Sequence, residues 1–370
     1  MKIALYNLTT TTKSGGIETF NLELAKALAK KGHIVHVYGG KSGFVYENPP
    51  GTLVFTYPFV RRERFPNFGT RLRRFMERLS FGFYALRDLI KENYDYIYLI
   101  KPYDIPTALL ASARSRARVI FGSSGTEFFP GYKQLVTRVD YFFACSEFNA
   151  SQIEGYCGIR PVVIHNGVDT EVFKPLVPDR QMKGTLKLTD RDIVVMTVSR
   201  LVALKGIAYA IRAVDRMVQK GYEVKFFIIG EGEERDNLRG LVETMQMEEH
   251  VFLLGNIPNS ALPRYYSLAT IAVFPSIAEE AFGISIAEAM ACGVPSVSTT
   301  MGAVPEVVGD AGLLVSPGSD DALANAMERI ISDETLRKQL SASGRKRIED
   351  NFSWNSIVDE FERHILQESG

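Results

Sequence analysis

The sequence is poor in cysteine: Cys145, Cys157 and Cys292 are the only three among 370 residues. The number is odd, the spacing is wide and no C-x-x-C occurs. That excludes a disulfide framework and a structural zinc site of the usual spacing, and it fits a reducing compartment. Net charge is also missing, since 43 lysines and arginines balance 43 aspartates and glutamates. The balance argues against wholesale nucleic-acid binding and leaves only local patches to consider. No apolar run is long enough to cross a bilayer. The opening residues Met1–Tyr6 reach Asn7 and the threonines at 9–12 too soon for a signal peptide. The expectation is a cytoplasmic protein, at most peripheral on the inner face of a membrane. Short-period repeats and low-complexity tracts are absent as well. What is present is a globular composition, 46% hydrophobic and 23% charged. The length exceeds the size at which one core usually keeps growing, so two domains are expected.

Residues 3–8 read as a buried strand, followed by a polar loop at 9–14 and the pair Gly15-Gly16. A helix then places Ile17, Phe20, Leu24 and Leu28 on one face, and residues 33–38 return as a strand. This β-α-β unit predicts a parallel sheet. Further strand signals lie at 96–100, 119–121, 141–144 and 162–165. Residues 174–190 carry two prolines and no clear periodicity and read as a linker. A second series repeats the grammar: strand 193–198, helix 206–220, strand 224–229, helix 233–246, strand 251–254, a short helix near 261–267, strand 271–274, helix 283–292 and strand 294–298. Two successive open α/β sheets bind ligands at the carboxyl edges of their strands. A cleft between the domains is the expected site.

The most informative stretch runs from Phe274 to Pro295. A strand ends, a small-residue loop follows, and a helix starts near Gly283. Gly293 fits its left-handed stop. Amides of Phe282, Gly283 and Ile284 at the helix start, reinforced by the helix dipole, form a site for an anion. Glu280 and Glu288 flank it. Eight helical residues would separate them by ~12 Å. That is too far for the carboxylate pair of a retaining (~5–5.5 Å) or inverting (~6.5–9.5 Å) glycosidase. The spacing suits a pair gripping two ends of one long ligand. A loop glutamate and a surface-helix glutamate with no shared role fit the spacing alone equally well.

Glu280, Phe282, Gly283, Glu288, Ala289, Met290, Ala291, Gly293 and Pro295 together match the E-x-F-G-x-x-x-x-E-A-M-A-x-G-x-P segment of retaining glycosyltransferase family four. The chain resembles that family here and again at Ser199-Arg200 through Lys205-Gly206. The resemblance implies a GT-B fold: two Rossmann-like, doubly wound α/β domains. It implies that Glu280 contacts donor-sugar hydroxyls, residues 282–284 hold a diphosphate, and Glu288 binds a ribose. Arg200 and Lys205 would stabilise the charge of the departing nucleoside diphosphate, replacing the metal that D-x-D motifs hold in other transferases. The D-x-D here, Asp190-Arg191-Asp192, precedes a strand and so falls at the wrong sheet edge. No metal and no cofactor are expected, and the donor is a nucleotide sugar.

By the same resemblance Gly15 and Gly16 lie beside the leaving phosphate. Gly230 lines the site, and Ile257 meets the nucleobase through backbone. A tight strand-to-helix turn explains the glycine pair as well. The run Gly230-Glu231-Gly232 lacks a third glycine and a following acidic strand end, so NAD binding is not expected. Asn166-Gly167 reads as a structural turn. The family's usual histidine near the donor sugar is replaced by Ser124, which puts that contact in question. A donor lacking a 6-hydroxyl, or a weakened enzyme, would account for it.

Residues 61–84 are rich in arginine and aromatics, including Phe65, Phe68, Phe75 and Phe81. A helix from 71 would set Leu72, Phe75, Met76, Leu79 and Phe83 on one face, with Arg71, Arg74 and Arg78 around them. Such a helix rests on an anionic membrane or receives a lipid-pyrophosphate acceptor. A core-facing helix with a solvated basic flank fits equally.

The expected division is 1–172 plus 353–370 as an acceptor-side domain and 173–352 as a nucleotide-sugar-binding domain. The terminal segment from Phe352 resembles the family's helix that crosses back to the first domain. The expected activity is retaining transfer from a UDP- or GDP-sugar to a saccharide or lipid-linked acceptor. A nucleotide-sugar epimerase of the same fold and a catalytically weak nucleotide-sugar-binding protein remain as alternatives.

Overall fold

The structure is a computed structural model, and it describes residues 1–13, 15–67 and 69–367. The chain forms two compact units, residues 1–167 with 354–370, and residues 168–353.

In unit 1 the strands are β1 Lys2–Tyr6, β2 Ile34–Gly40, β3 Thr52–Tyr57, β4 Tyr96–Leu99, β5 Arg118–Ser123, β6 Tyr141–Ala144 and β7 Val162–Val163. They pair in the order β3-β2-β1-β4-β5-β6-β7, every pairing parallel. The helices are α1 Gly16–Lys30, α2 Thr70–Lys91, α3 Ile105–Ser112, α4 Tyr132–Val136 and α5 Glu147–Cys157. Strand β1 is buried on both faces by Ile3, Leu5 and Tyr6, as a central parallel strand requires. Phe20, Leu24, Ala25 and Leu28 of α1 pack on one side of the sheet. Phe81, Ala85 and Leu89 of α2 pack on the other.

Unit 2 carries α6 Arg180–Thr185, then β8 Ile193–Val198, α7 Ile207–Gln219, β9 Val224–Ile229, α8 Arg235–Thr244, β10 Val251–Gly255, α9 Leu262–Tyr266, β11 Ile271–Phe274, α10 Ile284–Ala291, β12 Ser296–Thr299, α11 Val304–Val308, β13 Leu313–Val315, α12 Asp320–Ser332 and α13 Glu334–Phe352. The sheet order is β10-β9-β8-β11-β12-β13. The last helix, α14 Trp354–Gln367, returns to unit 1. There Trp354, Ile357, Val358, Phe361 and Ile365 join the α1 side of the core.

Three features differ from the sequence pattern. The polar loop after β1 is a 3-10 turn at Leu8–Thr11 with Thr10 and Thr11 buried. Burial is tolerated because Thr10 Oγ1 accepts from Asn21 Nδ2 at 2.8 Å and Thr11 Oγ1 donates to the Gly40 carbonyl at 2.7 Å. The stretch 174–190 holds the short helix α6, begun by Asp179, whose carboxylate accepts from the Gln181 and Met182 amides. Strand β3 adds an edge that the strand signals did not mark.

Candidate functional site

In each sheet the strand order reverses once, between β1 and β4 and between β8 and β11. Loops leaving the carboxyl ends of such neighbours flank a crevice, the usual ligand position in doubly wound sheets.

In unit 2 these are residues 199–206 after β8 and 275–283 after β11. Backbone bonds lace them to each other and to the neighbouring loops. The Ile277 amide donates to the Leu204 carbonyl at 2.9 Å, Leu201 to Glu231 at 2.9 Å, and Gly230 to Gly255 at 2.8 Å. Two glycines make the approach close enough. A Cβ at Gly206 would stand 2.1 Å from the Pro275 carbonyl oxygen, and one at Gly230 would stand 1.8 Å from that of Ser199. Both have positive φ, 64° and 138°, where an L side chain is strained.

Onto this floor the structure brings Lys205 and Glu280. Lys205 Nζ donates to Glu280 Oε1 at 2.5 Å. The Ser276 hydroxyl donates to the same oxygen. Ser276 is buried and its own carbonyl accepts from Thr299 Oγ1 at 2.6 Å. The Glu280 backbone is anchored by the Ala303 amide, which donates to its carbonyl at 2.8 Å. The carboxylate is thus held by two donors from two loops while its side chain keeps 19% exposure. Arg200 lies exposed on the same loop as Lys205, and among the described residues it has no ion pair.

Helix α10 starts at Ile284, next to these groups in sequence. Gly283 precedes it at φ 102°, and its carbonyl accepts from the Ile286 and Ala287 amides at 3.0 and 3.2 Å. The Phe282 ring is buried against Phe352, centroids 5.5 Å apart, which fixes the backbone entering the helix. Glu288 sits one turn into α10 at 5% exposure. Asn259 Nδ2, from the turn after β10, donates to Glu288 Oε1 at 2.9 Å. Burial pushes the neighbouring Cys292 thiol up to about 12, with Glu288 adding to the push. That thiol therefore stays protonated and unreactive. Ile257 is half-buried in the same loop as Asn259.

In unit 1 the Gly15 carbonyl accepts from Thr19 at 2.9 Å, and Gly16 opens α1. Ser124 is half-buried just beyond β5. Arg78 requires a correction: it does not lie on a solvated flank. It is buried at 6% exposure, ion-paired with Asp104 and bonded to Asn7 Oδ1 at 3.2 Å. Burial drives the Asp104 carboxyl up to about 6 even with Arg78 beside it. The apolar face of α2 also departs from a core-facing one: Leu72, Met76 and Phe83 are exposed at 44%, 38% and 78%. Arg71 and Arg74 are exposed as expected. Phe68 lies outside the described residues. Lys101 and Glu127, which no sequence signal marked, form an ion pair at 2.7 Å at the carboxyl ends of β4 and β5.

Two open parallel sheets, each with its polar loops gathered at a strand-order reversal, define the GT-B class of α/β enzyme. Residues 179–347 match the profile of glycosyl transferases group 1, and residues 14–172 match that of glycosyltransferase family 4. The chain belongs to glycosyltransferase family 4 and is an enzyme of the glycosyltransferase class. A mannosyltransferase of Corynebacterium glutamicum, described as GDP-mannose-dependent and acting on a monoacylated phosphatidylinositol monomannoside, is 30% identical over 284 residues, 71% of this chain and 74% of that one. The sucrose-phosphate synthase of Thermosynechococcus elongatus superposes with a TM-score of 0.83 at 22% identity, over 99% of this chain and 98% of its own. The Anabaena protein HepE, crystallised with UDP and glucose, superposes with a TM-score of 0.79 at 21% identity, over 99% of both chains.

Proposed function

We propose that this enzyme transfers a sugar, with retention and without a metal ion, from a UDP- or GDP-sugar to a saccharide or lipid-linked acceptor. One observation carries the reading: a lysine and a buried serine converge on a single oxygen of Glu280, beside the start of α10. Glu280 grips the donor-sugar hydroxyls. The α10 amides and the cations Arg200 and Lys205 receive the diphosphate, Glu288 holds the ribose, and the backbone at Ile257 meets the base. Gly230 lines the pocket floor. Unit 2 is the donor-binding unit and unit 1 the acceptor side, with Gly15 and Gly16 at the opening of its first helix.

As the sugar–phosphate bond breaks, negative charge grows on the leaving diphosphate. A cation at ~4 Å stabilises it by about 4 kcal/mol before desolvation, at an effective dielectric near 20. Positioned donors of this kind supply ~10²–10³ in rate each. The acidic pair that could have held a metal is engaged elsewhere: Asp190 pairs with Lys183 at 2.5 Å and Asp192 accepts from the Thr189 amide at 2.6 Å. Use of GDP-mannose by the Corynebacterium relative and the UDP complex of the Anabaena neighbour support the donor class. The exposed apolar face of α2, flanked by arginines, supports a peripheral position on an anionic membrane. Among the described residues no helix is long and apolar enough to cross one.

A screen of nucleotide sugars by thermal shift, followed by NMR of the best binder with and without acceptor, tests the reading. Arg200→Ala or Lys205→Ala lowers turnover at least about tenfold with the fold intact. Wild-type turnover in either variant would remove the clamp, and complete loss of activity in EDTA would overturn metal independence.

A further inference from the structure

Helix α10 has eight residues, too few to hold a fixed axis alone. Its direction is set by what grips its two ends. At the start, the Phe282 ring packs against Phe352 of α13, centroids 5.5 Å apart. At the carboxyl end the last carbonyls have no partner within the helix. One of them, that of Ala291, accepts from Arg345 Nη1 at 2.8 Å. The Gly293 carbonyl just beyond accepts from Ser341 Oγ at 2.6 Å. Both donors stand on α13, and the guanidinium charge suits the negative end of the helix.

Arg345 does more than cap α10. The same Nη1 donates to the Phe173 carbonyl at 2.6 Å, and Nη2 donates to the Thr170 carbonyl at 3.1 Å. Nη2 also pairs with Glu349 at 2.5 Å. These bonds use all four N–H groups of the two terminal nitrogens. Residues 168–173 are the first of unit 2 after the chain leaves unit 1, and they form a tight turn. The Val172 and Phe173 amides donate to the Asp169 carbonyl at 3.1 and 2.8 Å, and the Glu171 amide donates to Asp169 Oδ1 at 3.0 Å. The Val168 amide donates to the Phe352 carbonyl at 2.7 Å. The turn is therefore fastened to α10 twice. Val168, Phe352 and Phe282 tie it to the helix start, and one planar guanidinium ties it to the helix end.

We propose that Arg345 is a positioning residue that locks α10 to the 168–173 turn, so that occupying the donor-diphosphate site orders the segment where the chain crosses between units. The inference rests on the reading of the α10 start as the diphosphate cradle and deepens it. A diphosphate drawn to the amides at the start of α10 restrains the helix, whose ~12 Å length carries the restraint to Ala291. Arg345 passes it to the Thr170 and Phe173 carbonyls. A lysine at this position keeps the charge but not the planar fork, so it cannot span the helix end and the turn together.

Calorimetric titration with uridine and guanosine diphosphates, and hydrogen exchange of the full chain at saturation, test this. In wild type the bound diphosphate is expected to slow exchange of the 168–173 amides at least about fivefold. Arg345→Ala and Arg345→Lys lose that slowing at saturation. Ser341→Ala, which frees a carbonyl beyond α10 without touching the turn, keeps it. Should Arg345→Ala fail to fold, Arg345→Lys decides the same comparison. The inference is overturned by no slowing in wild type, by equal slowing in the Arg345 variants, or by loss of slowing in Ser341→Ala as well. The titration judges the transfer reading separately. Binding that weakens in Arg200→Ala/Lys205→Ala, with no response at 168–173, refutes this inference and leaves that reading standing. Binding indifferent to those two cations, with the response intact, removes the clamp and leaves Arg345 in its role. No binding by the wild type removes both.

Discussion

Glu280 Oε1 is where three strands of unit 2 meet chemically, since the loops after β8 and β11 supply its donors and residue 303, after β12, anchors its backbone. A carboxylate accepting from a charged and a neutral donor is oriented more tightly than by either alone. Ser276→Ala removes one donor, and a hydrogen bond to a charged group contributes about 1.5–3 kcal/mol. The expected result is a kcat at least about tenfold lower, with Ser276→Thr restoring part of it and the melting temperature nearly unchanged. Asn259 stands toward Glu288 as Ser276 does toward Glu280. Asn259→Ala is expected to raise KM for the donor more than it lowers kcat, measured by steady-state kinetics with the donor varied. The two glutamates and both cations were legible as motif residues. Their helpers were not, because Ser276 and Asn259 are ordinary loop residues whose partners become neighbours only through the sheet order. Arg78 was misread for the same reason: its partner Asp104 lies 26 residues away, and nothing local signals that a basic residue will be buried.

At the level of elements, the alternating strand–helix pattern of unit 2 reads directly from apolar periodicity, because central parallel strands are continuous hydrophobic runs bounded by glycine. Edges and short pieces escape this logic. Strand β3 has no fully buried residue and mixes exposed with half-buried positions, and α6 has six residues, too few for a period to show. Helix α2 had a legible period, yet two apolar sectors competed for the core. Phe81, Ala85 and Leu89 occupy it, and Leu72, Met76 and Phe83 do not. Phe81→Ala is therefore expected to cost about 3–5 kcal/mol by chemical denaturation. Phe83→Ser should stay within about 0.5 kcal/mol while weakening adsorption to anionic vesicles. The loops of unit 2 depend on close backbone approach. Gly230→Ala forces a Cβ into the Ser199 carbonyl at a φ of 138°. A loss of about 2–4 kcal/mol follows, read as a drop of several degrees in the melting of unit 2.

Across the whole molecule, the chain passes from unit 1 to unit 2 after residue 167 and returns after residue 353. The final helix fills the α1 side of the first sheet with Trp354, Ile357, Val358, Phe361 and Ile365. Truncation after Ser353 strips five buried apolar side chains, each contributing about 1.5–3 kcal/mol. Unit 1 is then expected to lose its cooperative transition in calorimetry. The proposed function has the donor diphosphate held by the start of α10 together with Arg200 and Lys205. A crystal structure with an intact nucleotide sugar tests it most directly. The expected result is the diphosphate at the amides of 283 and 284, with Lys205 in contact, the sugar hydroxyls on Glu280 and the ribose on Glu288. A nucleotide sugar lodged away from residues 280–288 would contradict it.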